Sequence, residues 1–523
     1  MTSAVGRLND RLGAAAWPAP LRSLSWVDLA INTLLLLAAA ALHALIPGGV
    51  PIPGGVSTGA DPGNWLALAH EFRGRPVMSL DSWYPPLFPA LLSSLLFVTS
   101  PLQALVVAGL IAQFGVVSAS YWITRGLGRT RAGTVALLAG TAGYQLEAYA
   151  WGAFPQLLGS GLALLVLWIV VRLVDRPHAG WLVGAALGAT AVVATHKLVA
   201  ALLVVAVPVA AFHALWLRRR GEGTWAWKKA APALIVLATL AVAGAAEWLS
   251  GSKVGYHPVL NPSSLSRLAV LYATVREATV PWALMALVGL WAISSRSWPA
   301  PLRPTVSCGS AWTLAGVGVF LITGEQRALL LSQLGLIMLM VAAFARWRSL
   351  IAQRQPRPRL APAIFTIAAW AMVGSISLSG LISFSAAVEW YRFVDHAELQ
   401  VLEQLKQASR PGDIVVAARG PKGSPTGWWV QGYAERPTYS SHDLRYLSFP
   451  EERRQAALAN RLFQENLSRT ELMSLLEDIG ARYLVVDRRG PDGGWLLRTE
   501  DYGLVVAFDS PSLVVLRVPD PRT

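Results

Sequence analysis

Before residue 387 the chain carries 11 acidic residues, and seven of them, Asp61, Glu71, Asp81, Glu147, Glu247, Glu277 and Glu325, fall in segments flanking long apolar runs on one side. A carboxylate at a water–lipid boundary can take a proton from a hydroxyl or hold a hard divalent cation. Asp61 stands in Gly59-Ala60-Asp61-Pro62-Gly63-Asn64, where it suits either role and also a helix start with Pro at its first position. Glu147 lies among aromatic residues in Gly143-Tyr144-Gln145-Leu146-Glu147-Ala148-Tyr149, and Glu277 follows Arg276. Each also has a plainer reading, a solvated carboxylate or a surface ion pair. His196-Lys197 and Arg327 place cations at span ends on the same side, where they suit phosphate oxygens or simply reach out of the lipid. His70-Glu71 has no partner at zinc spacing.

The elements that must position these residues are membrane helices. The chain has 523 residues, is 54% hydrophobic and only 14% charged. Runs such as Leu102–Trp122, Leu157–Val171 and Ala361–Phe384 are of the length that crosses ~30 Å of hydrocarbon. Spans are expected at 26–46, 102–124, 132–148, 156–174, 180–195, 198–216, 230–249, 281–298, 308–324, 328–345 and 361–386, about eleven in all. The stretch Tyr84–Val98 reads as a helix on the outer surface, opened by Tyr84-Pro85-Pro86.

Charge sets the orientation. Residues 387–523 hold 17 Lys+Arg against 19 Asp+Glu, while the rest holds 27 against 11. With the N-terminus inside, 20 of those 27 basic residues lie in inner segments. This is a positive-inside pattern and not a nucleic-acid stripe. The fold class is therefore an α-helical polytopic membrane protein with a C-terminal extracytoplasmic α/β domain. Residues 1–25 form a cytoplasmic N-terminus, 26–386 the membrane domain with an outer loop at 47–101, and 387–523 the outer domain. The location expected is the plasma (inner) membrane.

In the outer domain Glu389–Ser409 has helical period. Asp413–Ala418 and Tyr483–Asp487 read as strands, Leu504–Phe508 and Leu513–Val518 as a hairpin, and Thr470 as the cap of a helix ending at Gly480. Trp428 and Trp429 sit in a Gly-bounded loop with Tyr433. Their flat rings suit stacking on a sugar or peptide, and equally a domain core or an interfacial anchor. Cys308 is alone, so no internal disulfide is possible.

At these residues the chain resembles the GT-C superfamily of membrane glycosyltransferases. Asp61 occupies the place of that superfamily's first-loop aspartate. Tyr84-Pro85-Pro86-Leu87 is similar to the "YPPL" segment of the protein mannosyltransferases and the lipid A aminoarabinose transferase, and Ala194-Thr195-His196-Lys197 to their "tK". Asp61-Pro62-Gly63-Asn64, Asp81-Ser82-Trp83-Tyr84-Pro85, Thr274-Val275-Arg276-Glu277 and Trp428-Trp429-Val430-Gln431-Gly432-Tyr433 resemble motifs of the oligosaccharyltransferase catalytic subunit. Two departures stand out. Val430 replaces the aspartate of "WWD", and Gln145-Leu146-Glu147 stands where "DNE" is expected.

The resemblance implies an inverting glycosyltransferase that uses a polyprenyl-phosphate-linked sugar as donor. The acceptor would be a lipid, glycan or protein, and Val430 favours lipid or polysaccharide over peptide. It implies Asp61, Glu147 and Glu277 as catalytic residues that also form a tentative site for Mg²⁺ or Mn²⁺. His196, Lys197 and Arg327 would hold donor phosphate, and Trp428, Trp429 and Tyr433 the acceptor. Besides that donor and acceptor, membrane lipids are the partners implied, and nucleic acid is not. Two other readings stay open, an inactive scaffold of the same fold and a multi-pass transporter of lipid or sugar.

Overall fold

The computed structural model describes residues 61–74, 84–222, 233–242, 280–295, 298–354, 360–444, 447 and 450–519, together with Ala30, Leu34 and Gly59. The membrane part consists of α1 (Asp61–Phe72), α2 (Leu87–Leu95), α3 (Pro101–Thr124), α4 (Arg129–Thr141), α5 (Gly143–Trp151), α6 (Phe154–Asp175), α7 (Ala179–Val193), α8 (Lys197–Glu222), α9 (Ala233–Val242), α10 (Val280–Ser294), α11 (Arg303–Thr323), α12 (Gln326–Leu331), α13 (Gln333–Arg354) and α14 (Leu360–Trp390).

Six helical stretches among the described residues are long and apolar enough to cross a membrane: Pro101–Leu127, Phe154–Asp175, Lys197–Arg218, Ala300–Thr323, Gln326–Ile351 and Thr366–Trp390. Shorter apolar helices cover parts of three more expected spans, and the span expected at 26–46 lies outside the described residues. The span expected at 132–148 is instead two helices. Extended backbone at Ala142 (φ −63°, ψ 140°) ends α4 and opens α5, so the chain turns before Glu147.

Small residues let these helices approach closely. A Cβ added at Gly161 of α6 would meet the Gly115 carbonyl carbon of α3 at 2.5 Å. On α13, one added at Gly335 would meet the Gly309 oxygen of α11 at 2.5 Å. Tyr84-Pro85-Pro86 leads into a short helix, α2, as expected, and the Leu87 amide at its start donates to the Ala194 carbonyl (2.7 Å).

Beyond α14 the chain forms α15 (His396–Ala408), β1 (Ile414–Ala417), α16 (Thr426–Tyr433), β2 (Thr438–Ser440), α17 (Pro450–Gln464), α18 (Arg469–Ile479), β3 (Ala481–Asp487), β4 (Val505–Asp509) and β5 (Leu513–Arg517). The sheet order is β2-β1-β3-β5-β4. β1 runs parallel to β2 and β3, and the β4–β5 hairpin pairs antiparallel to β3 through β5. The hairpin and both strands agree with the sequence reading. The helix ending at Ile479 is capped by Ser468 rather than Thr470, because the Ser468–Glu471 capping box satisfies both backbone amides. Leucines of α18 pack on Val416, Leu484 and Val486 in this domain's own core.

Candidate active site

Asp61 opens α1, and the elements around it fix its place. The Trp65 indole donates to the Gly152 carbonyl at the end of α5 (2.7 Å), and Trp429 of α16 donates to the Gly59 carbonyl (2.8 Å). Contact is so close that a Cβ on Gly59 would lie 2.3 Å from the Trp151 oxygen. On Gly152, whose φ is +92°, it would lie 2.4 Å from Pro62 Cδ. Glycine is needed at 152 both for that left-handed backbone and for room. The first turn of α1 is thus clamped between α5 and the soluble domain. Asp61 itself is half-buried, and burial raises its carboxyl to about 6, against the opposing charge of Arg327.

Arg327 comes from α12, the short helix after Gly324. Its guanidinium forks onto Glu325, with Nε to Oε1 at 2.8 Å and Nη2 to Oε2 at 3.2 Å. The same Glu325 carboxylate caps α12 by accepting from the Arg327 amide. Burial raises the Glu325 carboxyl, but the Arg327 bond and charge outweigh it and hold the group below its usual range. The Arg327 side chain is 44% exposed, so Glu325 does not enclose it. Its charge reaches Asp61, Tyr144 and His196.

His196 sits at the α7–α8 corner beside Lys197. Burial first, then the charges of Arg327 and Lys197, lower it to about 3. Burial thus favours the neutral imidazole, and Lys197 beside it supplies the positive charge. The imidazole can hydrogen-bond a phosphate but not balance its charge. Glu147 accepts from the Tyr391 hydroxyl (3.5 Å), just past the end of α14. Burial, then the Glu147 and Asp61 charges, push the Tyr391 phenol up, so Asp61 and Glu147 act on one neighbour. Tyr144 bonds Gln156 and feels Arg327, Glu147 and Glu325.

Five expected residues, Asp61, Glu147, His196, Lys197 and Arg327, thus belong to one electrostatic neighbourhood. Glu277 lies outside the described residues, as does the Asp81-Ser82-Trp83 motif. Among the described residues no group of three His, Cys, Asp or Glu side chains gathers as metal ligands. With Glu277 outside the described residues the expected trio is not seen together, and the charge of Arg327 reaches Asp61.

No protein-family model and no curated protein matches the chain. A crystal structure of ArnT from Cupriavidus metallidurans bound to undecaprenyl phosphate is similar to it over 94% of this chain and 99% of that one, with a TM-score of 0.55 at 13% identity. The chain shares the overall fold of that structure. In the setting of that fold, the remaining expected residues separate. The aromatic segment is helix α16 rather than a loop, which spreads its rings around the axis. Trp429 is 1% exposed and holds the soluble domain to α1, leaving no ring face for a ligand. Trp428 instead stacks edge-on against His442, 5.6 Å away, beside Glu452 and Gln455. Three contributors carried no assigned role in the sequence: Tyr391, Tyr144 and Glu325. Only Glu325 gave a signal, as one more outer carboxylate next to Arg327.

Proposed function

We propose that this chain is a glycosyltransferase that moves a sugar from a polyprenyl-phosphate donor to an acceptor on the outer face of the membrane. The observation that carries the reading is the placement of Asp61 at the start of α1, held by the Trp65 and Trp429 hydrogen bonds and within reach of the charge of Arg327. The fold shared with a protein crystallised with undecaprenyl phosphate supports the donor class.

In this reading Asp61 removes the proton of the acceptor hydroxyl as its oxygen attacks the anomeric carbon. The bond from that carbon to the donor phosphate oxygen breaks, and its electron pair leaves with the polyprenyl phosphate. One in-line displacement inverts the anomeric centre. Arg327 and Lys197 offset the charge that grows on the leaving phosphate, where preorganised cations act most strongly. Neutral His196 donates a hydrogen bond to a phosphate oxygen. Glu147, bonded to Tyr391, borders the acceptor side. Val430, 0% exposed, faces the core and offers no group to a peptide hydroxyl, which favours a lipid or glycan acceptor.

The deciding experiment incubates purified protein with a panel of polyprenyl-phosphate sugars and lipid acceptors. Transfer is expected from the native chain, and Asp61→Asn should lose it while inserting normally in the membrane. Full activity of Asp61→Asn contradicts the assignment. Sugar or lipid flux in liposomes without donor turnover supports transport instead.

A further inference from the structure

At the other end of the bundle a cavity of about 410 Å³ opens between α4, α13 and α14. From Val373 on its wall to Tyr391 at the outer site, α14 climbs roughly 27 Å at 1.5 Å per residue, so the two sites are separate. Two walls of the cavity are apolar. α13 contributes Phe344 and Ala345, and α14 contributes Trp370 and Val373, each pair on one side of its helix. The third wall is basic, with Arg131 at the start of α4 facing Arg348 near the end of α13.

Arg131 is half-buried and donates to the Leu127 carbonyl (3.2 Å). Burial, and then the charge of Arg348, hold its guanidinium below the ordinary value. No carboxylate is among the described residues lining the cavity. Two guanidinium groups drawn together beside an apolar wall repel each other unless an anion joins them. The cavity is also open to lipid. Only 22% of the apolar window of Thr366–Trp390 is buried, the smallest share of the six candidate spans, and Trp370 stays 52% exposed.

We propose that this cavity binds the phosphate headgroup of an anionic glycerophospholipid, with Arg131 and Arg348 on the phosphate oxygens and the acyl chains along Trp370 and Val373. Guanidinium groups meet phosphate oxygens in a fork that an ammonium cannot copy, and basic pockets between membrane helices suit anionic headgroups. A soluble phosphate would leave the apolar walls without a partner. This inference stands independently of the transferase reading.

The test reconstitutes the full chain in nanodiscs of phosphatidylcholine with a minor fraction of phosphatidylglycerol, and native mass spectrometry counts the lipid each protein retains. The native chain should retain phosphatidylglycerol over phosphatidylcholine. Arg348→Gln should lower retention about fivefold and the Arg131→Gln/Arg348→Gln pair on the order of twentyfold. Arg176→Gln, an exposed basic residue outside the cavity, should change nothing. Undiminished retention by the pair overturns the proposal, and so does an equal loss with Arg176→Gln. Displacement of the lipid by inorganic phosphate that is itself retained also overturns it. If the pair fails to fold, Arg348→Gln alone decides, since that side chain is exposed.

Discussion

Asp61 works against the stability of its own fold. Its folded carboxyl titrates at about 6, above the usual carboxylate range near ~4. A raised carboxyl contributes stability below the unfolded value and loses it as pH rises through the folded value. Asp61→Asn, permanently neutral, should therefore melt higher than the native chain at pH 7.5, by on the order of 1 kcal/mol after solvent screening. Transfer has the opposite dependence, because only the ionised base accepts a proton. Activity should rise with pH through about 6, the value Asp61 takes in the fold. Arg327 opposes the rise of Asp61, so Arg327→Gln should move the acid limb of kcat/KM to higher pH. It should also cut turnover roughly 10²–10³-fold. A loss of turnover with an unmoved acid limb would separate Arg327 from Asp61. Sequence made Asp61, Glu147, Lys197 and Arg327 visible as charges beside apolar runs. It could not expose Tyr391 or Tyr144, because their roles come from neighbours distant in the chain.

At the scale of elements, the joint between α1 and α16 governs the site. Gly63 and Gly432 let the two helices touch, and a Cβ on Gly432 would lie 2.1 Å from the Gly63 oxygen. His70 meets the Gly432 carbonyl at 3.1 Å on the same contact. Gly432→Ala should pry the helices apart, costing about 1–3 kcal/mol, and should lower transfer although no reacting group is altered. Thermal melting beside a transfer assay on the full chain checks this, and normal values for both would make the joint incidental. The short sequence Trp428–Tyr433 read as a ligand-binding loop because its partner lies about 370 residues away, and no local pattern announces a helix–helix contact. The strands and the hairpin were legible for the contrary reason. Alternating apolar residues bounded by turn residues state their own register. The break at Ala142 escaped notice because apolar composition runs straight through it.

For the whole molecule, orientation is the property on which the reading rests. The bundle has one end rich in arginine, with Arg131 and Arg348, and another bearing Asp61, Glu147 and Arg327. The chain's one native thiol, Cys308, is buried, so single engineered cysteines can be read without background. In intact cells a membrane-impermeant maleimide should label Arg488→Cys in the soluble domain and leave Arg176→Cys untouched until the membrane is opened. The reverse pattern would put the candidate site on the inner face and overturn the expected orientation. Charge bias along the sequence is the source of this expectation, and the six long spans show only that these helices can cross a membrane.

The bond from the Trp429 indole to the Gly59 carbonyl ties the C-terminal domain to a point two residues from Asp61. A chain trimmed at Trp390 keeps Asp61, Glu147, Lys197 and Arg327, yet it removes the Gly432 contact of Leu66 and His70 and frees the start of α1 from one of its two anchors. The C-terminal module therefore buttresses the candidate site, and miniaturising this protein to its helical bundle discards the wall against which Asp61 is set.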